Sequence, residues 1–283
     1  MKLPMLRFLF VVTVAGCSFH GMSSAVESAT PADADVSADA AIDGKPPIDG
    51  AILVNAVPCT GPQTGLVACY ELEDGVDDGV LADSSANHFD ATTSGLTPAM
   101  HGSSHAATVG AASMTYTPTT SMFDRAAGYT EMMWVNPVTL PDTGEAYGLL
   151  DHELQYAMAL VTDNGDNIES RCIHTMSSYE FTASPLPNKW SLLACTWDGT
   201  NLCAMRWTAS NDHERNCFVP GVAPAATGMH GLAIGHLSTA GSAHDQFDGA
   251  IDSIHLYDHA LMSSEVCAAA GQASNCLPCD QCD

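Results

Sequence analysis

From Gly65 onward, short apolar runs alternate with polar, turn-forming clusters. "GLVACYELED" (65–74) alternates in character, and "YTEMMWVNP" (129–137) and "WSLLACTWDGTN" (190–201) are compact runs bounded by turn signals. "LCAMRWTAS", "GLAIGHLS" and "AIDSIHLYD" follow, separated by Gly, Asn and Asp. Runs of this length, rich in aliphatic and aromatic residues, predict β-strands. Only "SSEVCAAAGQ" (263–272) reads as a helix, with Ser263 or Ser264 as its cap and Gly271 as its stop. Many short strands joined by turns predict an all-β fold, an antiparallel β-sandwich with one short C-terminal helix. No internal repeat is evident.

The first 58 residues have a different pattern. Lys2 and Arg7 precede an apolar run from Phe8 to Val14, and small residues follow. This is the form of a secretory signal over 1–16, too short to span a membrane as a helix. Its end, Val14-Ala15-Gly16-Cys17, resembles a bacterial lipobox. The resemblance implies that Cys17 is lipidated and anchors the protein to a membrane in the cell envelope, with Ser18 compatible with the outer membrane. The alternative is ordinary cleavage nearby, with Cys17 joining a disulfide. Residues 18–58, rich in Ala, Asp, Ser and Pro, carry too little apolar surface to offset their ordering entropy and predict a disordered tether.

Composition then narrows the partners. Lys and Arg total 8 against 33 Asp and Glu, a formal charge of −25 at pH 7. A surface this acidic has no basic patch to release phosphate counterions, so nucleic acid is excluded and neutral ligands and cations remain. Of the 11 cysteines, ten remain once Cys17 is set aside, an even number that points to disulfides in an exported chain. Cys203 and Cys217 bracket a polar turn and are placed for a cross-hairpin bridge; Cys172 and Cys195 lie in successive strand-like runs and are candidates for a second. Cys59, Cys69, Cys267, Cys276, Cys279 and Cys282 are not assigned. The C-terminal "CLPCDQC" in the tail, 268–283, has metal-like spacing, but an oxidising compartment favours disulfides there as well.

Five blocks together resemble the laminin-G-like, concanavalin A-like jelly roll. They are "GLVACYELE" (65–73), "DSSAN" (83–87), "WVNP" (134–137), "WSLLACTWDG" (190–199) and "FDGAIDSIHLYDHALMSSEV" (247–266). The resemblance covers about 65–267, within a domain expected over 59–267. It departs from the family at Cys69, at Ala86 and in a shortened loop after Asn87. It implies that the first and last strands are neighbours, and that a structural calcium sits near their junction. Glu73, Asp83, Asn87, Asp90 and Asp252 are the oxygen donors so placed. Calcium takes six to eight oxygens. Asp252 is the odd member, because strict strand alternation puts it on one face with Ile254 and Leu256. A carboxylate there needs a compensating partner, either a cation or backbone N–H groups.

Catalytic signatures are absent. No Glu is followed by Asp two residues later, so the paired carboxylates of the jelly-roll glucanases are missing, and no H-E-x-x-H or G-x-S-x-G occurs. The resemblance instead implies a surface-anchored, non-catalytic binding module for a neutral glycan. Trp207, His255 and Tyr257 are its candidate contacts, since rings offer apolar area with a polar handle. The other reading is a structural or adhesive surface lipoprotein that contacts another protein.

Overall fold

The computed structural model describes residue 59 and residues 61–271, apart from short stretches at 73–75, 77–78, 153–154, 164, 176–177, 209–212, 225–229 and 240–241. The predicted signal segment, Cys17 and the C-terminal Cys276, Cys279 and Cys282 lie outside the described residues, as does Glu73. All described residues fall in one compact unit, Pro47–Asp283.

Among the described residues, eighteen strands form the fold. In chain order they begin β1 (Leu66–Tyr70), β2 (Val80–Leu81), β3 (Ala91–Ser94), β4 (Thr97–His101), β5 (Ser104–Val109) and β6 (Met114–Tyr116). Next come β7 (Tyr129–Pro137), β8 (Ala146–His152), β9 (Tyr156–Thr162), β10 (Ile168–His174), β11 (Ser178–Ala183) and β12 (Ser191–Trp197). The chain finishes with β13 (Leu202–Thr208), β14 (His213–Phe218), β15 (Ala233–Ile234), β16 (Leu237–Thr239), β17 (Ser242–His244), β18 (Gly249–Tyr257) and the helix α1 (Ser263–Ala269). The front sheet runs β14-β13-β12-β7-β18-β5-β4 with β1 also on β18, and the back sheet runs β11-β10-β9-β8-β15-β6-β3-β2. The pairings are antiparallel, and first and last strands are neighbours through β1 and β18. This is an all-β sandwich of the concanavalin A-like kind with one short helix.

Parity along the strands explains the two apolar layers. Met133 and Val135 of β7, Leu193 and Cys195 of β12, and Leu149, Met158 and Leu160 of the back sheet fill the space between the sheets. Met132 and Trp134, Leu192 and Ala194, and Met205 point to the opposite face of the front sheet, where Leu261, Val266 and Ala269 of the α1 region cover them. Both faces of β7 and β12 are therefore buried, and these strands read as near-continuous apolar runs rather than alternating ones. The helix starts one residue before the expected caps. Met262 is the N-cap, its backbone N–H donating to Glu265 Oε2 at 2.9 Å, and Ser263 already lies inside the helix. Gly271, at φ 75°, supplies the left-handed stop.

One irregularity in β18 changes which residues share a face. Asp252 is opposite Trp134 and His255 is opposite Met132, so two residues of β18 bulge against one of β7. Ser253 adopts φ 47°, in the left-handed region. The bulge sits where β18 exchanges partners, pairing with β5 over Gly249–Ile251 and with β1 from Ile254 onward. Ile251, Ile254 and Leu256 consequently stay in the inter-sheet core, while Tyr257 joins the outer cluster. The strict alternation expected from sequence is corrected here. Asp252 does not share a face with Ile254 and Leu256; it lies on the same side as His255 and Tyr257.

Three disulfides are formed among the described residues. Cys203–Cys217 crosses the β13–β14 hairpin at directly opposed positions. Cys172–Cys195 joins β10 of the back sheet to β12 of the front sheet. Cys59–Cys69 fastens the segment before β1 to β1 itself. Cys267 is disulfide-bonded as well.

Candidate functional site

The partner of Asp252 is a histidine. His101, at the end of β4, donates from Nδ1 to Asp252 Oδ2 at 2.8 Å, and Ser253 Oγ donates to Oδ1 at 3.3 Å. Asp252 is 0% exposed and His101 is buried beside it. The imidazole stacks on Trp190 at 4.0 Å between centroids and tilts against Trp134 at 5.1 Å. Two indoles thus shield the pair from water, which strengthens its electrostatics. The hydroxyl beside it bonds the carboxylate rather than the imidazole, so the arrangement lacks the nucleophile–base contact that acyl-transfer chemistry needs. Its effect is structural: it clips the end of β4 to the bulge in β18.

Asp83 is compensated differently. Oδ1 accepts from the backbone N–H of Cys69 and Ser85, and Oδ2 accepts from the N–H of Phe89 and from Ser85 Oγ, at 2.7–2.9 Å. A carboxylate offers about four lone-pair positions, and all are used. Asp90 accepts from the Asp83 N–H, and Asn87 Nδ2 donates to the Val67 carbonyl. The "DSSANHFD" loop is therefore tied to β1 by its own hydrogen bonds. Among the described residues, no three of the expected acidic ligands lie close enough to share one cation. Asp252, bonded to His101, belongs to a separate cluster. As bonded here, Asp83 would have to surrender backbone hydrogen bonds to ligate calcium, and Glu73 lies outside the described residues.

The expected glycan contacts divide as well. His255 and Tyr257 are buried in the front sheet, and Tyr257 lies within the layer covered by α1. Burial lowers the His255 pKa to about 4 and pushes the Tyr257 phenol up to about 12, with Glu265 adding to the latter. Trp207 is half-buried at the other end of the same face, packed against the outer cluster. The structure does not bring these three into one open surface.

An open aromatic surface lies instead on the back sheet, whose outer face has no helix over it among the described residues. Over β8 that face is closed by the segment entering β16: a Cβ on Gly148 would sit 2.1 Å from the backbone nitrogen of Leu237. At β10 and β11 it is open. Tyr179 and Phe181, at positions i and i+2 of β11, point the same way and are 46% and 41% exposed. Across the strand pair, Tyr179 opposes Ile173 and Phe181 opposes Arg171. The Arg171 guanidinium lies 4.3 Å from the Tyr179 ring centroid, and its Nε donates to Glu169 Oε2 at 2.8 Å. Such a cation over a ring fixes both groups in place.

The edge strand that carries this platform is held from the opposite sheet. Asn216 Nδ2 of β14 donates to the Phe181 carbonyl at 2.8 Å, and Glu214 Oε2 accepts from the Ala183 N–H at 2.9 Å. These contacts occupy part of an edge that would otherwise offer free backbone groups. Two rings on β11 with a guanidinium and a carboxylate on its partner β10 can stack against an apolar face and bond its hydroxyl rim. Sequence reasoning missed this surface. The period-2 signal in "SYEFTA" is present, but nothing local says that β11 is an edge or that its aromatic side faces solvent.

The model of the concanavalin A-like lectin/glucanases superfamily matches residues 102–267. The chain belongs to that superfamily. Among solved structures, a concanavalin A-like relative in shape is domain 4 of AbnA, a GH43 extracellular arabinanase from Geobacillus stearothermophilus, in complex with arabinotriose. It has 19% identity and a TM-score of 0.54, covering 74% of this chain and 100% of that one. A mutant Trypanosoma rangeli sialidase displaying trans-sialidase activity matches at 16% identity and TM-score 0.55, over 76% of this chain and 34% of that one. The binding domain of botulinum neurotoxin DC in complex with SialylT matches at 7% identity and TM-score 0.52, over 72% and 50%. This chain thus spans about a third of the sialidase and half of the toxin domain. At these identities the likeness is one of fold. No curated protein matches the sequence.

Proposed function

We propose that this concanavalin A-like domain is a non-catalytic module that binds a neutral saccharide, held at the cell envelope by a lipid on Cys17. The observation that carries the reading is the exposed Tyr179–Phe181 pair with Arg171 and Glu169 beside it. Ring faces provide apolar area for the C–H face of a sugar, while the guanidinium and carboxylate provide a donor and an acceptor for its hydroxyls. The fold relatives solved with arabinotriose and with a sialylated ligand support saccharide binding as a use of this fold. A formal charge of −25 favours a neutral sugar over an acidic one. The lack of the paired-carboxylate strand motif supports binding without hydrolysis.

An oligosaccharide array probed with the full chain tests this. Neutral oligosaccharides should be retained and recovered uncleaved, with sialylated ones bound more weakly. Retention of no saccharide, together with capture of a surface protein, would replace this reading with the adhesive one. For the anchor, Cys17→Ala should release the protein from the membrane fraction.

A further inference from the structure

Beneath the N-terminal segment, three metal-ligating groups meet. Cys69 of β1 and His255 of β18 are direct cross-strand partners, and Cys59 reaches them from the segment before β1. The two sulfurs and an imidazole nitrogen all lie within 4.8 Å of one another. This is the one group of three or more metal-ligating side chains at such separations among the described residues.

His255 is the telling member. It is 1% exposed, and neither Nδ1 nor Nε2 has a hydrogen-bond partner. Buried polar atoms are almost always paired, so an imidazole with two orphaned nitrogens beside two cysteines calls for an explanation. A disulfide sulfur is a poor acceptor and does not supply one. A metal bound to the thiolate form of the same cysteines would, because neutral imidazole and thiolate are the preferred ligands of zinc and similar borderline cations.

We infer that Cys59, Cys69 and His255 form a three-ligand site for a zinc-like cation when the Cys59–Cys69 disulfide is reduced. The chemistry balances with a dithiol as reductant. Its two thiols are oxidised to a disulfide while the Cys59–Cys69 bond takes up two electrons and two protons. The divalent cation then displaces those two protons from Cys59 and Cys69 and accepts the His255 lone pair. Two of the ligands sit on paired strands and are fixed in advance. The third is held by Gln63 Nε2, which donates to the Cys59 carbonyl at 2.6 Å. Close packing at Gly61, where a Cβ would lie 2.7 Å from Ala269 Cα, holds the segment down on α1. Cys59 is only half-buried, which gives a reductant and a metal a way in. The disulfide fastens the start of the domain to β1 under oxidising conditions, and a metal bridge through His255 would fasten it to both β1 and β18 under reducing ones.

Cobalt(II) is the probe. The full chain carrying Cys267→Ser, Cys276→Ser, Cys279→Ser and Cys282→Ser removes the competing C-terminal cysteines. After reduction with dithiothreitol and desalting, it should bind one cobalt with thiolate-to-cobalt charge-transfer absorption, and zinc should displace it. The unreduced protein should bind none. Adding Cys59→Ser should abolish the absorption, His255→Gln should weaken cobalt binding at least tenfold, and Cys203→Ser with Cys217→Ser should leave it unchanged. Absence of cobalt binding after reduction, or unaltered affinity in Cys59→Ser, would overturn the site. Cys59 lies outside the core, so its variant decides the matter even if His255→Gln fails to fold.

Discussion

At Asp252 the buried charge pairs with the His101 imidazole and accepts from Ser253 Oγ, whereas Asp83 is held by four donors from its own loop and β1. The difference matters for mutation. Removing one partner of a buried pair leaves an uncompensated charge, at a cost of about 3–5 kcal/mol. His101→Ala should therefore lower stability by that order, while His101→Phe combined with Asp252→Asn should recover much of the loss. A chemical-denaturation cycle on the four proteins checks this, and additive losses would show that the two residues are uncoupled. Elsewhere in the core, His152 and Glu131 are buried with side-chain polar atoms that have no hydrogen-bond partner. His152 has both ring nitrogens unpaired, and burial lowers its pKa to about 4 against 6.5 unperturbed. The folded state then binds fewer protons than the unfolded one, so stability falls as pH drops from 6.5 towards 4. At full extent the loss is about 3 kcal/mol. Glu131 behaves oppositely. Burial, with Asp151 adding, raises its pKa well above 4.5, so its contribution is lost as pH rises above that value. Urea midpoints measured across pH should show a shallower acid limb in His152→Phe and a shallower alkaline limb in Glu131→Gln. Wild-type slopes in both variants would contradict the assignment.

Among the elements, the strands around Trp134, Trp190 and Asp252 were legible because their apolar runs are compact and their turn residues are unambiguous. The bulge was not. A period-2 reading has no local signal for Ser253 leaving the extended region, and that one residue moved Asp252 to the other face. The helix was legible in extent but not at its cap, because Glu265 reaches back to the Met262 N–H and removes the need for a hydroxyl there. The Cys172 and Cys195 pairing was suggested by succession along the chain. Its role as a link between sheets emerges only once β10 and β12 are assigned to different layers. Replacing both with Ala should cost about 2–5 kcal/mol and lower the thermal midpoint. An unchanged midpoint, read by calorimetry under non-reducing conditions, would show that the inter-sheet packing suffices without the link.

For the whole molecule, among the described residues the outer face of the front sheet is covered by α1, while the outer face of the back sheet carries its exposed aromatic pair at β11, beside β10. That asymmetry is why the rings expected to contact a ligand are buried and the exposed rings were not foreseen: exposure depends on which elements pack over each sheet face. The acidic surface adds a constraint. Binding of a neutral saccharide involves no release of counterions, so affinity should change little with added salt, whereas a charged partner would respond strongly. The most direct measurement is a calorimetric titration of the full chain with its best-retained neutral oligosaccharide, repeated for Tyr179→Ala and Phe181→Ala. The account predicts at least tenfold weaker binding in each variant, about 1.4 kcal/mol, with folding unaltered because both rings lie on the open face. Wild-type affinity in both variants would place the saccharide elsewhere and contradict the account.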